Sequence, residues 1–238
     1  MATHNFIYAC ISAWTATFKM PLFYSNTGVK GSMPTMNIPP YTTIVGMLGN
    51  MVGRDLEPEE VKRIGFIFEY DKKGVDLEKL ESYSLDTEKN IIKRNTGTTN
   101  PTQREFLIRP KLHIYLENVD FFESRFKEPF NIPCFGRSQD IAWIETLANG
   151  KQYKIVDAEE VQQGMVRDTL LPFPQDGISG IIVPLADYYD NFKLGFSRSV
   201  GGVSQYLVVN KPAIVRRGSL FKVSNREDCV IYMHNIIG

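Results

Sequence analysis

The sequence predicts an α+β protein, with mixed elements in its first two thirds and a β-rich final third. Near the N terminus, apolar strand-like runs alternate with segments of helical periodicity. After residue 150, short β-forming runs follow one another, separated by Gly, Pro and Asn. The order strand, loop, helix, strand, strand, helix, strand approximates βαββαβ. This is the ferredoxin-like arrangement that RNA-recognition domains share.

The composition bounds the function without assigning one. The chain has 238 residues, of which 43% are hydrophobic, and its formal net charge is zero. Nucleic-acid-binding domains are usually basic overall, so a role of that kind requires a local patch. The three cysteines have neither metal-binding nor disulfide spacing, no signal-peptide pattern is present and no apolar run matches a membrane span. We expect a cytoplasmic protein that has no cofactor or metal and does not enter a membrane.

The first element is an apolar strand over residues 6–18, "FIYACISAWTATF". Both of its alternating faces are apolar, which is typical of a central strand covered on both sides. A long irregular loop rich in Gly, Pro and Ser follows. Pro39 and Pro40 then lead into a helix, which Thr42 or Thr43 can cap.

The helix carries three glycines, Gly46, Gly49 and Gly53, on one side. Each glycine in a helix interior costs about 1 kcal/mol relative to alanine. We therefore expect a close approach to this face, either by the protein itself or by a ligand. The start of the helix is a separate candidate, because amides near Thr42 and Thr43 could hold a phosphate.

The middle of the chain predicts a basic hairpin. A short helix and a buried strand, "GFIFEYD", are followed by "DLEKLESYSLD", which is predicted to be helical or irregular. Residues 55–89 are mainly acidic, whereas residues 89–111 are mainly basic. We predict two strands that reach out to the polar tip "NTGTTNPTQ", flanked by Lys93, Arg94 and Arg104. Such a finger could track a phosphate backbone, although a charge run is more often a solvated face.

The segment "CFGRSQD" predicts a turn that follows a short helix, "NVDFFESRF". Gly136 would let the backbone approach an anion, and the guanidinium of Arg137 would bind it through two N–H groups. The alternative is an ordinary turn in which Arg137 forms a surface ion pair with Asp140.

A catalytic interpretation is also open. Lys111 and His113 lie two residues apart in a strand-like run and so share a face, which Tyr41 could join in the fold. Such a set can cleave RNA without metal, with histidine as acid or base and lysine stabilising the phosphate charge. The other interpretation is a packed or hydrogen-bonded strand histidine. No Ser/His/Asp motif and no acidic metal cluster stands out.

Four motifs occur in series: "ATFKMP", "IPPYTTIVGMLGNMVG", "REFLIRPKLHIYL" and "IPCFGRSQDIAWI". In this order and spacing they resemble the CRISPR-associated Cas-five family, most closely its type I-B branch. The resemblance covers about residues 6–145. It implies a modified ferredoxin-like (RRM-like) domain in residues 1–148 with a protruding β-hairpin thumb at about residues 88–108. Residues 149–238 would form a C-terminal β-rich subdomain packed on it.

The resemblance also implies a function. Members of the family cap one end of the Cascade surveillance complex, a ribonucleoprotein of antiviral defence. They bind the 5′ handle of the crRNA and contact the backbone and large subunits, so target DNA is met only indirectly. Aromatic side chains at Phe18, Tyr24 and Tyr41 are candidates for stacking on the RNA.

The residues expected to contact RNA belong to the first strand, the helix start, the thumb and the Gly-Arg-Ser turn. They are Phe18, Lys19, Tyr41, Thr42, Thr43, Lys93, Arg94, Arg104, Gly136, Arg137, Ser138 and Gln139. The type I-C branch of the family is itself a metal-independent endoribonuclease, which gives an alternative with Tyr41, Lys111 and His113 as catalytic residues. Because the Lys111–His113 run predicts a core strand, we expect a non-catalytic RNA-binding role.

Overall fold

The structure is a computed structural model that describes residues 3–19, 32–79, 83–86, 91–94, 101–190 and 199–236. Within these ranges it is mostly β. The helices are α1 (Tyr41–Val52), α2 (Pro58–Val61) and α3 (Val119–Lys127). The strands are β1 (Thr3–Ala13), β2 (Thr15–Ala16), β3 (Ser32–Met33), β4 (Arg63–Glu69), β5 (Lys72–Lys79), β6 (Tyr83–Asp86), β7 (Ile91–Arg94), β8 (Pro101–Ile108), β9 (Lys111–Leu116), β10 (Ala142–Ile144), β11 (Lys154–Val161), β12 (Gly164–Val166), β13 (Thr169–Pro172), β14 (Ile181–Ala186), β15 (Tyr189–Asp190), β16 (Ser199–Val200), β17 (Val203–Val209), β18 (Ala213–Val215), β19 (Leu220–Val223) and β20 (Ile231–Asn235).

Strand β1 is the centre of the main sheet, and it is buried on both faces as its apolar pattern predicts. Ile7, Ala9 and Ile11 point into one hydrophobic cluster, whereas Phe6 and Tyr8 point into another on the opposite face. The first cluster also contains the buried faces of helices α1 and α3. The helices therefore cover one side of the sheet.

The main sheet has seven strands in the order β10-β1-β11-β19-β20-β4-β9, and β9 also pairs with β1. Six strands therefore form a closed antiparallel circuit, with β11 on one edge of β1 and β9 on the other. Strands β11, β1, β9 and β4 are neighbours in that order. A ferredoxin-like sheet is open, whereas this circuit is closed. The structure therefore does not confirm the ferredoxin-like assignment, which stays a prediction.

The C-terminal strands belong to several different sheets. Strands β11, β19 and β20 belong to the main sheet, whereas β13, β17 and β14 form a separate three-stranded sheet. The predicted division between residues 148 and 149 runs between β10 and β11, which both pair with β1. A distinct C-terminal subdomain stays a prediction.

The predicted hairpin has different strand partners in the structure. Strand β8 pairs with β5 along residues 72–79, and β7 pairs with β6. We call the four strands β5, β6, β7 and β8 the ribbon. The expectation that "DLEKLESYSLD" is helical or irregular is wrong for the described residues, which lie in β5 and β6. Its alternation is hard to recognise because β5 buries no core face, and Val75 and Leu77 are exposed.

Several features are established only for the described part of the chain. No helix there has the length and apolar character that crossing a bilayer requires. No group of three or more His, Cys, Asp or Glu side chains in those ranges is placed to hold a metal ion. The three cysteines are free thiols, and Cys10 and Cys229 are buried.

Candidate functional site

A cavity of about 430 Å³ lies where three distant segments of the chain meet. The segments are the backbone after β2, the first turns of α1 and the turn before β10; the end of β14 and the start of β15 complete the wall. We call it the anchor cavity. It is lined by Thr17, Phe18, Lys19, Pro40, Thr42, Thr43, Gly46, Met47, Asn50, Cys134, Gly136, Arg137, Leu185, Ala186 and Tyr189. The cavity thus brings together Phe18, Lys19, Thr42, Thr43, Gly136 and Arg137 of the predicted RNA-binding set.

The start of α1 presents its positive end to this cavity. Pro40 is the N-cap residue, so the predicted threonine cap is wrong, and no side chain caps the first turn. The Thr43 amide donates to the Pro40 carbonyl over 3.0 Å, so this predicted phosphate donor already has a partner within the first turn. The first turn also has no acidic residue. The helix dipole is therefore not offset by a carboxylate in that turn and favours an anion at this wall.

The turn before β10 is held against the backbone that follows β2. Gly136 has a φ of +88°, and a Cβ atom at this position would lie 2.1 Å from the Thr17 carbonyl oxygen. The Thr15 hydroxyl donates to the Asp140 carboxylate over 2.6 Å, and Asp140 is buried. The predicted surface ion pair between Arg137 and Asp140 is therefore wrong, because Asp140 fixes the turn from inside.

Arg137 is instead paired with β5. Its Nη1 donates to Glu78 Oε2 over 2.9 Å, and its Nη2 contacts the other carboxylate oxygen. Both side chains are mostly buried. The cation lines the anchor cavity while Glu78 neutralises it, so an incoming phosphate would have to displace this carboxylate.

The ribbon neutralises its own basic residues. Arg104 lies directly opposite Asp76 in the register of β8 and β5, and its Nε donates to that carboxylate over 3.0 Å. This hydrogen bond raises the pKa of Arg104 and lowers the pKa of Asp76. The charge contrast between the two segments thus partly reflects cross-strand pairing.

The remaining thumb residues are described only in part. Lys93 Nζ donates to Asp86 over 2.7 Å between β7 and β6. Arg94 lies opposite Tyr83 in the same pairing, and its side chain is outside the described structure. The tip at residues 95–100 and the stacking candidate Tyr24 also lie outside the described residues.

Two predicted aromatic contacts belong to the core. Phe18 is buried, and its ring packs edge to face against Phe68 with centroids 5.3 Å apart. Tyr41 is also buried, and its hydroxyl donates to the Leu170 carbonyl over 3.1 Å. Phe18 forms part of the cavity wall, whereas Tyr41 does not line it. Ser138 and Gln139 are exposed on the turn, outside the lining of the cavity.

The structure does not bring Tyr41 together with Lys111 and His113. Tyr41 belongs to the cluster on the helix side of the sheet, which also holds Ile114 of β9. His113 alternates with Ile114 and so points to the other face, where its Nδ1 lies 2.9 Å from the Tyr8 hydroxyl. Burial lowers the pKa of His113. Its role in the structure is that of a hydrogen-bonded strand histidine, which was the second interpretation of the sequence.

A second cavity of about 490 Å³ lies beside the anchor cavity, between helix α1 and the loop that follows it. No sequence pattern predicts this cavity. We call it the acidic cavity. Its lining includes Asp55, Glu57 and Asp187, together with Gly46 and Tyr189, which it shares with the anchor cavity. These residues come from helix α1, the loop after it, and the segment that leads from β14 into β15. Only the long-range fold brings them together, so no local signal could have revealed the cavity.

The comparisons with known proteins point to the fold. No family model and no curated protein matches the chain. The structure is similar to a chain of the Type III-B Cmr-beta bound to cognate target RNA, with a TM-score of 0.51 and 14% identity over 88% of this chain and 86% of that one. A chain of a CRISPR RNA-guided surveillance complex gives 0.49 and 16% identity, over 88% and 90% of the two chains. A CRISPR protein from Archaeoglobus fulgidus gives 0.48 and 11%, over 97% and 100%.

The Cmr-beta match shows a shared fold, because its TM-score exceeds 0.5. Its 14% identity is too low to transfer a function, a partner or the role of any residue.

Proposed function

We propose that this chain is a non-catalytic subunit of a CRISPR RNA-guided complex and binds the 5′ handle of the crRNA in the anchor cavity. The observation that carries the proposal is the convergence of Lys19, the start of α1 and Arg137 on one concave wall. These groups come from segments that are far apart in the chain. Each of them is suited to phosphate, as an ammonium group, a helix N-terminus and a guanidinium group.

The charge arrangement supports a specific binding mechanism. Glu78 holds Arg137 in place when RNA is absent, and a phosphate would take over the guanidinium as the carboxylate moves away. Exchange of one anion for another requires no large rearrangement of the turn, because Gly136 and Asp140 fix its backbone. A chain with zero net charge can bind RNA in this way through a local site.

The finer assignments follow from the resemblance to the Cas-five family. The fold would be a modified ferredoxin-like core with the ribbon as its thumb. The partners would be the crRNA and the backbone and large subunits of a cytoplasmic Cascade-type complex in antiviral defence, with target DNA met through them. Cofactors, metals and membranes have no part in this role.

The test is RNA binding by purified protein with one charge reversal. Arg137→Glu should weaken binding of a repeat-derived handle RNA by roughly 1–3 kcal/mol, because a charge-assisted contact is lost. Arg217→Glu is the matched control, since Arg217 is 88% exposed and does not line the anchor cavity. Thermal melting of both variants checks that the fold is retained. Equal losses in the two variants would show general electrostatics rather than a site.

The same RNA also tests for catalysis. The protein is incubated with repeat RNA and EDTA, and the products are separated on a denaturing gel. We expect intact RNA. Specific cleavage that His113→Ala abolishes would contradict the non-catalytic role.

A further inference from the structure

The three glycines of α1 have different structural reasons. Gly53 ends the helix with a φ of +89°, and its amide donates to the Gly49 carbonyl over 2.8 Å. At Gly49 an added Cβ atom would lie 2.9 Å from the Arg54 carbonyl oxygen, where the chain folds back. At Gly46 an added Cβ atom would meet nothing within 4 Å. The protein itself therefore explains two of the glycines but not Gly46.

Gly46 lies in an exposed helical position where alanine would be more favourable. It lines both the anchor cavity and the acidic cavity. Because Gly46 has no side chain, the anchor cavity and the acidic cavity are continuous over the exposed backbone of α1 at this residue. A Leu side chain at this position would project into that shared space.

The anchor cavity also has an unused polar group in its wall. Thr17 is 2% exposed, and its hydroxyl has no hydrogen-bond partner among the described residues. Buried hydroxyl groups normally have a partner, so Thr17 is an exception beside the anchor cavity. Asn50, on the same helix face as Gly46, also lines the cavity, and its Nδ2 donates to the Ile132 carbonyl over 2.9 Å.

The charges decide which part of an RNA chain can reach Gly46. The anchor cavity has Lys19 and Arg137 in its wall, whereas the acidic cavity has Asp55, Glu57 and Asp187 and, among the described residues, no lysine or arginine. A phosphate would be repelled on the acidic side. A nucleobase is flat and uncharged, and it can extend from a phosphate held on the basic side.

We propose that the bare surface at Gly46 receives one nucleobase of the bound RNA, with its phosphate on the Lys19 and Arg137 side. The inference rests on the proposed function and deepens it. It makes Gly46 the residue at which the anchor cavity distinguishes a nucleotide that carries a base from one that does not. Tyr189 lines the same space and offers an aromatic ring to the base. The volume of about 430 Å³ is large enough for one nucleotide.

The experiment measures the affinity of the purified full chain for two RNAs in a double comparison. One probe is a ten-nucleotide oligoadenylate, and the other is an abasic ribose-phosphate chain of the same length. Gly46→Leu should weaken oligoadenylate binding at least about fivefold, the loss expected when one base no longer stacks. The affinity for the abasic chain should not change, because its phosphates do not use the surface at Gly46.

Two measurements keep the variant interpretable. Gly46→Leu should melt at or above the wild-type temperature, because the added side chain has open space and leucine favours a helix. Gly49→Ala is the matched control, since its Cβ atom would press on the Arg54 carbonyl and Gly49 lines only the acidic cavity. It should melt at a lower temperature and bind both probes as the wild type does.

The possible results separate this inference from the proposed function. If Gly46→Leu weakens both probes equally, or weakens neither, the base site is wrong while RNA binding stands. If the wild type binds the repeat-derived handle RNA but neither probe, the base site alone fails. If it binds none of the three, the proposed function fails and the base site fails with it. If Gly46→Leu weakens the binding of oligoadenylate but not of the abasic chain, the result supports both the base site and the proposed function.

Discussion

The anchor cavity and the ribbon both carry basic residues that the sequence predicts as RNA contacts, but their surroundings differ. In the ribbon, Arg104 and Lys93 each face a carboxylate on the neighbouring strand. In the anchor cavity, Arg137 has a carboxylate partner, yet it shares the wall with Lys19 and an uncapped helix start. The comparison teaches that the sign of a charge run does not identify a binding surface. The proposed function depends instead on the number of anion-binding groups that meet in one concave place.

The largest expected effect breaks the wall of the anchor cavity. Gly136→Ala should lower the free energy of unfolding by about 3–5 kcal/mol, because positive φ strain adds to a clash with the Thr17 carbonyl. Gly150→Ala is the control, since Gly150 also has a positive φ, of +75°, but an added Cβ atom there meets nothing within 4 Å. It should cost only about 1–2 kcal/mol. Urea unfolding measures both, and equal losses would show that the turn does not press on Thr17.

The second effect concerns the core behind helix α1. His234 stacks on Tyr41 with ring centroids 4.1 Å apart, and burial lowers its pKa from 6.5 to about 4. His234 therefore binds a proton less readily in the folded state than in the unfolded state. The stability that neutral His234 contributes to the fold is fully present above pH 6.5 and is lost as the pH falls to about 4. The loss amounts to about 3 kcal/mol.

The measurement is the free energy of unfolding from pH 7.5 to pH 4 for the wild type and for His234→Phe. Phenylalanine keeps a ring beside Tyr41 but cannot be protonated, so the stability of the variant should fall less steeply over this range. Carboxylates titrate in both proteins, and the difference between the two curves removes their contribution. Parallel curves would contradict a buried neutral histidine.

The smallest expected effect is a change in RNA affinity that compares the anchor cavity with the ribbon directly. Glu78→Gln should raise the affinity for handle RNA about threefold, because it removes the carboxylate that competes for Arg137. Asp76→Asn makes the same change beside Arg104 in the ribbon and should raise it less. The affinities are measured at two salt concentrations. A larger gain from Asp76→Asn would make the ribbon the main RNA contact and reverse the comparison.

Local patterns predicted the elements that bury a continuous core. Strand β1 is apolar on both faces because both are covered, and helix α1 has a regular apolar stripe. The pairing of the ribbon was not predicted correctly because β5 buries no apolar face. Val75 and Leu77 are 62% and 73% exposed, whereas Asp76 and Glu78, which alternate with them, are partly buried, which reverses the usual apolar pattern of a strand.

The site was predictable only in part for a similar reason. Thr42, Thr43 and Arg137 were chosen for the chemistry of single segments, and Lys19 was chosen from the family resemblance. The fold does bring them together. Their partner Glu78 and the buried position of Tyr41 depend on packing between distant elements. No local pattern contains that information.

The closed circuit of the main sheet also affects how copies of the chain meet. Its six strands satisfy one another, so they give an incoming strand no place to add by backbone pairing. The ribbon is different, since β5 pairs with β8 alone among the described strands and carries lysines at both ends. Like charges of that kind discourage accidental strand addition. We therefore expect neither the closed circuit nor the outer edge of β5 to pair with a strand of a second copy of the chain.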